Sequence, residues 1–185
     1  FSECSSLRDI YFPSSLTTIE QFAFNKWSSL KAISFSSSLK TIEQYAFNEC
    51  SSLEQISFGA NNMIKSIERY SFALCSSLKK ISIPSFVKRI ESFAFYECKE
   101  LTEVLFPPSL SRIGVSSFEG CSSLIELKFP SLLSQIDDCA FNGCYSLTSI
   151  TFSSYKFTVG KDAFRNCYSV KQITIPISEV KPFLN

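Results

Sequence analysis

The chain has 185 residues, enough for one domain with a sizeable core, and its 45% apolar and 19% charged content excludes a disordered tail. A formal net charge of +1 argues against an electrostatic nucleic-acid binder. No run of about 18 apolar residues is present, so no direct membrane insertion is expected of this segment. Histidine is absent, whereas phenylalanine occurs nineteen times and cysteine eight. The commonest general base and the commonest metal ligand are therefore both missing, which weakens most hydrolase and zinc readings.

Residues 7–12, "LRDIYF", end in an inward–outward alternation and read as a strand. Pro13 follows, and a residue without an N–H cannot extend a ladder, so the strand stops there. "LTTIE" (16–20) is apolar at its first and fourth positions and suits a short second strand. "QFAFNKW" (21–27) has too few residues for a full helix, and one helical or 3-10 turn is expected. The whole pattern then recurs. Phe1, Phe24, Phe47, Phe72, Phe95, Phe118, Phe141 and Phe164 are 23 residues apart except for one step of 25. That longer step coincides with an insertion around "GANNMI" (59–64). A leucine column runs from Leu7 through Leu30, Leu53, Leu78, Leu101, Leu124 and Leu147 to Val170. An aliphatic column two-thirds through each first strand runs from Ile10 to Ile173. Proline closes that strand again at Pro84, Pro107, Pro130 and Pro176. The pattern loosens in "SSYKFTVG" (153–160) and "ISEVKPFLN" (177–185).

One such repeat cannot bury enough surface to offset the entropy of ordering itself. Stacking is the physical answer, with stability residing at the interfaces between repeats. The expected fold is a repeat solenoid of about eight 23-residue units, with a parallel β-sheet on one face. A short second strand and single helical or 3-10 turns occupy the others. Residues 1–185 are expected to form one solenoid, a fragment of a longer protein, because "FSECSSL" begins abruptly without a signal segment.

The columns resemble the BspA-like leucine-rich repeat family: a leucine, an isoleucine, a strand closed by proline, "LxxI", then "AFxxC". "FPPSLSRIGVSSFEGCSSL" (106–124) is close to the family consensus, including Gly114, and "FPSSLTTIEQFAF" (12–24) fits with Glu20 where the family often has glycine. The resemblance covers nearly the whole chain. It implies a leucine-rich-repeat right-handed superhelix. The family is typical of surface proteins of bacteria and parasitic protists, where it implies cell-surface adhesion and protein binding.

Cys4, Cys50, Cys75, Cys98, Cys121, Cys144 and Cys167 form one column, with Trp27 in the remaining slot. A nucleophile is needed once and beside a base, and a metal needs ligands that converge on a point. Stacked rungs lie about 4.8 Å apart, within reach of a disulfide, but side chains in register keep their Cβ atoms wider than the ~3.8 Å a relaxed bridge wants. Reduced thiols acting as small apolar filler is the favoured reading, and Trp27 shows that the slot needs no sulfur. Cys139 stands outside the column and is the candidate for the most reactive thiol.

The outward residues of the first strands form the candidate surface for a partner, because solenoids present such columns as one extended face. Lys80, Glu103, Leu105, Glu126 and Lys128 make its most varied patch. Two other stripes are expected to be structural: the acidic Glu20, Glu43, Glu68, Glu91 and Asp137, neutralised by neighbouring lysines and arginines, and the aromatic Phe22, Tyr45, Tyr70 and Phe93. The expectation is a non-enzymatic module with no catalytic residues, no cofactor and no metal site. Its partner would be a protein, a host-cell or matrix component met at the cell surface. The alternative is an intracellular interaction scaffold, which reduced cysteines favour.

Overall fold

The computed structural model describes residues 6–60 and 62–177. Phe1, Cys4 and the stretch after Ile177 lie outside the described residues. Seven first strands follow one another up the solenoid: β2 (Ala32–Phe35), β4 (Gln55–Phe58), β6 (Lys80–Ser82), β8 (Glu103–Leu105), β10 (Glu126–Phe129), β12 (Ser149–Phe152) and β14 (Gln172–Thr174). Seven two-residue second strands alternate with them: β1 (Thr18–Ile19), β3 (Thr41–Ile42), β5 (Ser66–Ile67), β7 (Arg89–Ile90), β9 (Arg112–Ile113), β11 (Gln135–Ile136) and β13 (Thr158–Val159). All pairings are parallel, and the register carries each residue onto its equivalent in the next repeat, as in Ile33 on Ile56 and Ile90 on Ile113.

Each face is interrupted once. The first strands form β2-β4-β6-β8 and β10-β12-β14, and the second strands form β1-β3 and β13-β11-β9-β7-β5. The gap between β3 and β5 falls at the two-residue insertion. The insertion begins at Gly59, where a Cβ would stand 2.5 Å from the Ser37 backbone nitrogen, so only glycine allows the rungs to approach there. The gap on the first-strand face lies between β8 and β10.

The core is built from the inward columns. Leu30, Leu53, Leu78, Leu101, Leu124 and Leu147 are fully buried, and Ile33, Ile81, Leu127 and Ile150 are nearly so. The phenylalanines from Phe24 to Phe164 form one continuous stack, with centroids 5.1–5.7 Å apart and ring planes within 13° of parallel. This is offset stacking repeated once per rung. In the irregular seventh turn, Phe157 leaves the regular spacing and stacks on Phe152 at 4.2 Å, filling the place that Lys156 cannot.

The third side differs from expectation: no helix or 3-10 turn is present among the described residues. Two residues per repeat have positive φ, at Phe22 and Lys26, Tyr45 and Glu49, Tyr70 and Leu74, Phe93 and Glu97, and onward to Asp162 and Asn166. A helix cannot pass through such residues. The N–H groups instead alternate in destination. Ala23, Asn25 and Trp27 bond back to Glu20, Phe22 and Phe24, while Phe22, Phe24 and Lys26 bond to Gln44, Ala46 and Asn48 of the next repeat. The "AFxxC" segment is thus a ladder of tight turns. Bulky residues at positive φ are costly, and the inter-rung bonds and ring stacks hold them there: Phe22, Tyr45, Tyr70 and Phe93 lie 4.7–4.9 Å from one another.

Candidate partner-binding face

Strand alternation places one set of side chains outward along the first-strand face. Lys80, Leu105 and Lys128 are exposed, Glu103 and Glu126 are half-buried, and the residues between them are buried. β6 pairs with β8, so Lys80 lies beside Glu103 and Ser82 beside Leu105. Lys80 Nζ reaches Glu103 at 2.7 Å across the two strands. Glu126 and Lys128 form their own pair at 2.8 Å within β10. Because the ladder is interrupted between β8 and β10, the structure divides the sequence-derived patch into Lys80, Glu103 and Leu105 on one sheet and Glu126 and Lys128 on the other.

The first group lies in a groove that the sequence did not reveal. A cavity of about 520 Å³ runs over β2, β4, β6 and β8 and is lined by Ser34, Gln55, Ser57, Ser82, Glu103 and Leu105. A second, of about 500 Å³, adjoins it at Ser57, Ser82 and Leu105 and extends over Gly59, Pro84 and Pro107. A serine column forms the floor, with Ser57 Oγ and Ser34 Oγ 2.9 Å apart. The rim is charged but neutralised. Lys79 donates to Glu54 at 2.8 Å and holds that carboxyl below its usual range. Leu105, 55% exposed, is the one large apolar side chain standing in the groove. Such a surface offers hydroxyls, paired charges and an apolar contact to an extended ligand.

The cysteines have a different task. All seven described cysteines are free. Cys50, Cys75, Cys98, Cys121, Cys144 and Cys167 each donate an S–H bond to the carbonyl of a phenylalanine in the preceding repeat, Phe24, Phe47, Phe72, Phe95, Phe118 and Phe141 respectively, at 3.2–3.5 Å. The thiols are therefore apolar filler and also satisfy buried carbonyls. Burial pushes Cys50 up from 9.0 to about 12, and raises Cys75, Cys98 and Cys121 as well. Half-buried Cys139 is also raised, first by burial and then by Glu119, Asp162 and Asp138. Cys167 is lowered and Cys144 raised together, through the contact between their two thiols. Cys139 and Cys167 are the two described cysteines that are not fully buried. Among the described residues no three cysteine, aspartate or glutamate side chains gather as a metal site.

The acidic stripe is partly neutralised at short range. Arg89 pairs with Glu91 at 2.9 Å, Ser66 donates to Glu68, and Arg112 donates twice to buried Asp137 at 2.8 and 3.0 Å. Arg69 lies over the rings of Tyr70 and Phe93 at 5.3 and 5.8 Å, covering part of the aromatic stripe.

A parallel two-faced coil with one rung per 23-residue unit is a leucine-rich-repeat solenoid. The model of the BspA type leucine rich repeat region, in six copies, matches residues 1–86 and 65–183, and the chain belongs to that family. Comparison with curated proteins gives no match. Among solved structures, a leucine-rich repeat protein from Bacteroides ovatus is 26% identical with a TM-score of 0.78, over 94% of this chain and 50% of that one. The T. pallidum leucine-rich repeat protein is 27% identical with a TM-score of 0.77, over 84% of this chain and 72% of that one. A leucine rich cell surface protein from Faecalibacterium prausnitzii is 27% identical with a TM-score of 0.65, over 97% of this chain and 56% of that one. The chain spans about half the length of the Bacteroides and Faecalibacterium proteins. No helix among the described residues is long and apolar enough to cross a membrane.

Proposed function

We propose that this chain is a non-enzymatic protein-binding module of a cell-surface protein, acting in adhesion to a host-cell or matrix component. The observation that carries the reading is the groove over β2-β4-β6-β8, in which exposed Leu105 stands beside the Lys80–Glu103 pair above a floor of serine hydroxyls. The surface description of the Faecalibacterium relative supports the location. Glu126 and Lys128 would extend the contact past the interruption in the sheet.

Binding of the purified chain to immobilised matrix proteins and to host cells tests this. Leu105→Ser together with Lys80→Glu should weaken binding at least about tenfold, as loss of a central apolar anchor does, and should leave the melting curve nearly unchanged. Charge reversal at Glu126 and Lys128 should have a smaller effect. Wild-type affinity in all of these variants would remove this face from the interaction. The second reading, an intracellular scaffold using the same groove, is favoured by the free cysteines. Locating the full-length protein on intact and permeabilised cells separates the two.

A further inference from the structure

The edge where the first-strand face turns into the second carries a surface that the groove does not use. Most repeats turn there through a tight bend closed by the N–H of the first core residue, as in Val87 to Pro84, Leu110 to Pro107 and Leu133 to Pro130, while at the insertion the Ile64 N–H bonds instead to Asn62 Oδ1. The residue before that core position sits at the tip of the bend. Where it is serine, its hydroxyl folds back onto the neighbouring bend: the single O–H of Ser38 lies within reach of the Ser14 and Leu16 carbonyls, and that of Ser109 within reach of those of Ser85 and Val87. In other rungs the tip is Met63, Phe86 or Leu132, each about half exposed or more. These side chains cannot make the serine's bond, and they place apolar surface in water.

Two residues beyond Ser38, Met63 and Phe86, on the same side of an extended backbone, stand Lys40, Lys65 and Lys88, whereas the same place beyond Ser109 and Leu132 holds Ser111 and Ser134. The alternation is plain: Met63 and Lys65 are exposed on either side of buried Ile64, and Phe86 and Lys88 on either side of buried Val87. The three lysines occupy equivalent places on successive rungs: the Lys88 N–H bonds to the Lys65 carbonyl at 2.8 Å, whereas the break between β3 and β5 separates Lys40 from Lys65. None of them takes part in an ion pair among the described residues, whereas Lys79, Lys80, Lys99 and Lys128 all do. The acidic column lies three residues farther along each strand, and Glu68 and Glu91 are engaged by Ser66 and Arg89. A cavity of about 430 Å³ opens between Lys40 and Lys65, lined also by Thr41, Met63 and Ser66, with no carboxylate in its wall.

Stacked, unpaired lysines repel one another, and beside protruding apolar side chains they match one surface: anionic headgroups over hydrocarbon. We propose that this edge seats on an anionic lipid bilayer, with Met63, Phe86 and Leu132 entering the acyl boundary and Lys40, Lys65 and Lys88 holding headgroup phosphates and carboxylates. A soluble polyanion would explain the lysines but not the apolar tips. The seating is peripheral. It involves no span, and it departs from the expectation of no membrane insertion because that expectation rested only on the lack of a long apolar run.

Flotation of the chain with vesicles tests it. The protein should bind vesicles of phosphatidylcholine with phosphatidylserine and not vesicles of phosphatidylcholine alone, and added salt should release it. Lys40→Gln, Lys65→Gln and Lys88→Gln should each weaken binding about fivefold and together about a hundredfold. Phe86→Ser with Leu132→Ser should abolish binding without lowering Tm, because serine is the residue the equivalent rungs already use. The proposal is overturned by the absence of vesicle binding in the folded wild-type chain, by equal binding to both vesicle types, or by binding that these variants do not change. It is also overturned if heparin binds through the lysines, Phe86→Ser has no effect on that, and vesicles are ignored.

Discussion

Ile150 and Ile173 occupy the same place on adjacent rungs and pair in register, yet Ile150 is 3% exposed and Ile173 is 59% exposed. The same contrast runs through the neighbouring columns. Phe95 and Phe118 are fully buried while Phe164 is only partly so, and buried Ile136 stands one rung from exposed Val159. The residue types are alike, and so are the local hydrogen bonds. Among the described residues, Ile150 is paired on both sides, with Leu127 and Ile173, whereas Ile173 is paired with Ile150. Burial here is supplied by the neighbour and not by the repeat itself, as expected for an architecture whose stability resides in nearest-neighbour interfaces.

The thiol column gives this contrast its largest expected effect. Burial raises Cys50, Cys75, Cys98 and Cys121 in the central rungs, whereas half-buried Cys167 near β14 is lowered through its contact with the Cys144 thiol. A thiol that stays protonated in the fold but ionises in the unfolded chain contributes stability that is complete below pH 9 and lost as pH rises toward the folded value near 12. Each central thiol should remove up to about 1.4 kcal/mol per pH unit across that window. Urea melts under reducing conditions from pH 8 to 11 should show a steep fall in stability, and Ala at these four positions should flatten it. A flat profile in the wild type would mean that the thiols are not buried as described.

Phe95→Ala should cost about 3–5 kcal/mol, because it removes a ring stacked on both faces, and Phe164→Ala less than about half of that. Chemical denaturation of the two variants measures the difference. Equal losses would deny the role of the neighbouring rung. Ile150→Ala should cost at least about 2 kcal/mol and Ile173→Ala under about 1. The smallest effect belongs to Ser71 and Ser117, whose buried hydroxyls have no partner in the otherwise alanine-rich column. Alanine at either site should raise stability by up to about 1 kcal/mol, read as a small increase in Tm.

The stack was legible because identical residues at a fixed spacing leave few alternatives: Phe24, Phe47 and Phe95 lie along one line, as the 23-residue columns require. The tight turns were not. Only Gly120, Gly143, Asp162 and Asn166 hint at a left-handed backbone, whereas Phe22, Tyr45, Tyr70 and Phe93 occupy it against their own preference. Tertiary bonds to the next rung override the local signal, and no local window contains them. The thiol bonds were hidden for the same reason, since Cys98 Sγ meets the Phe72 carbonyl across 26 residues of chain. For the candidate face, alternation correctly turned Lys80, Leu105 and Lys128 outward. The groove and the interruption that separates Glu126 and Lys128 depend on how the rungs stack, which no single repeat encodes.

Native-state hydrogen exchange, followed by mass spectrometry on peptides covering residues 70–98 and 158–174, tests most directly whether shelter is lent between rungs. The central peptide should exchange only through global unfolding, and protection should decline rung by rung toward β14. Uniform protection along the chain, or slower exchange at β13 and β14 than at β6 and β7, would contradict the account.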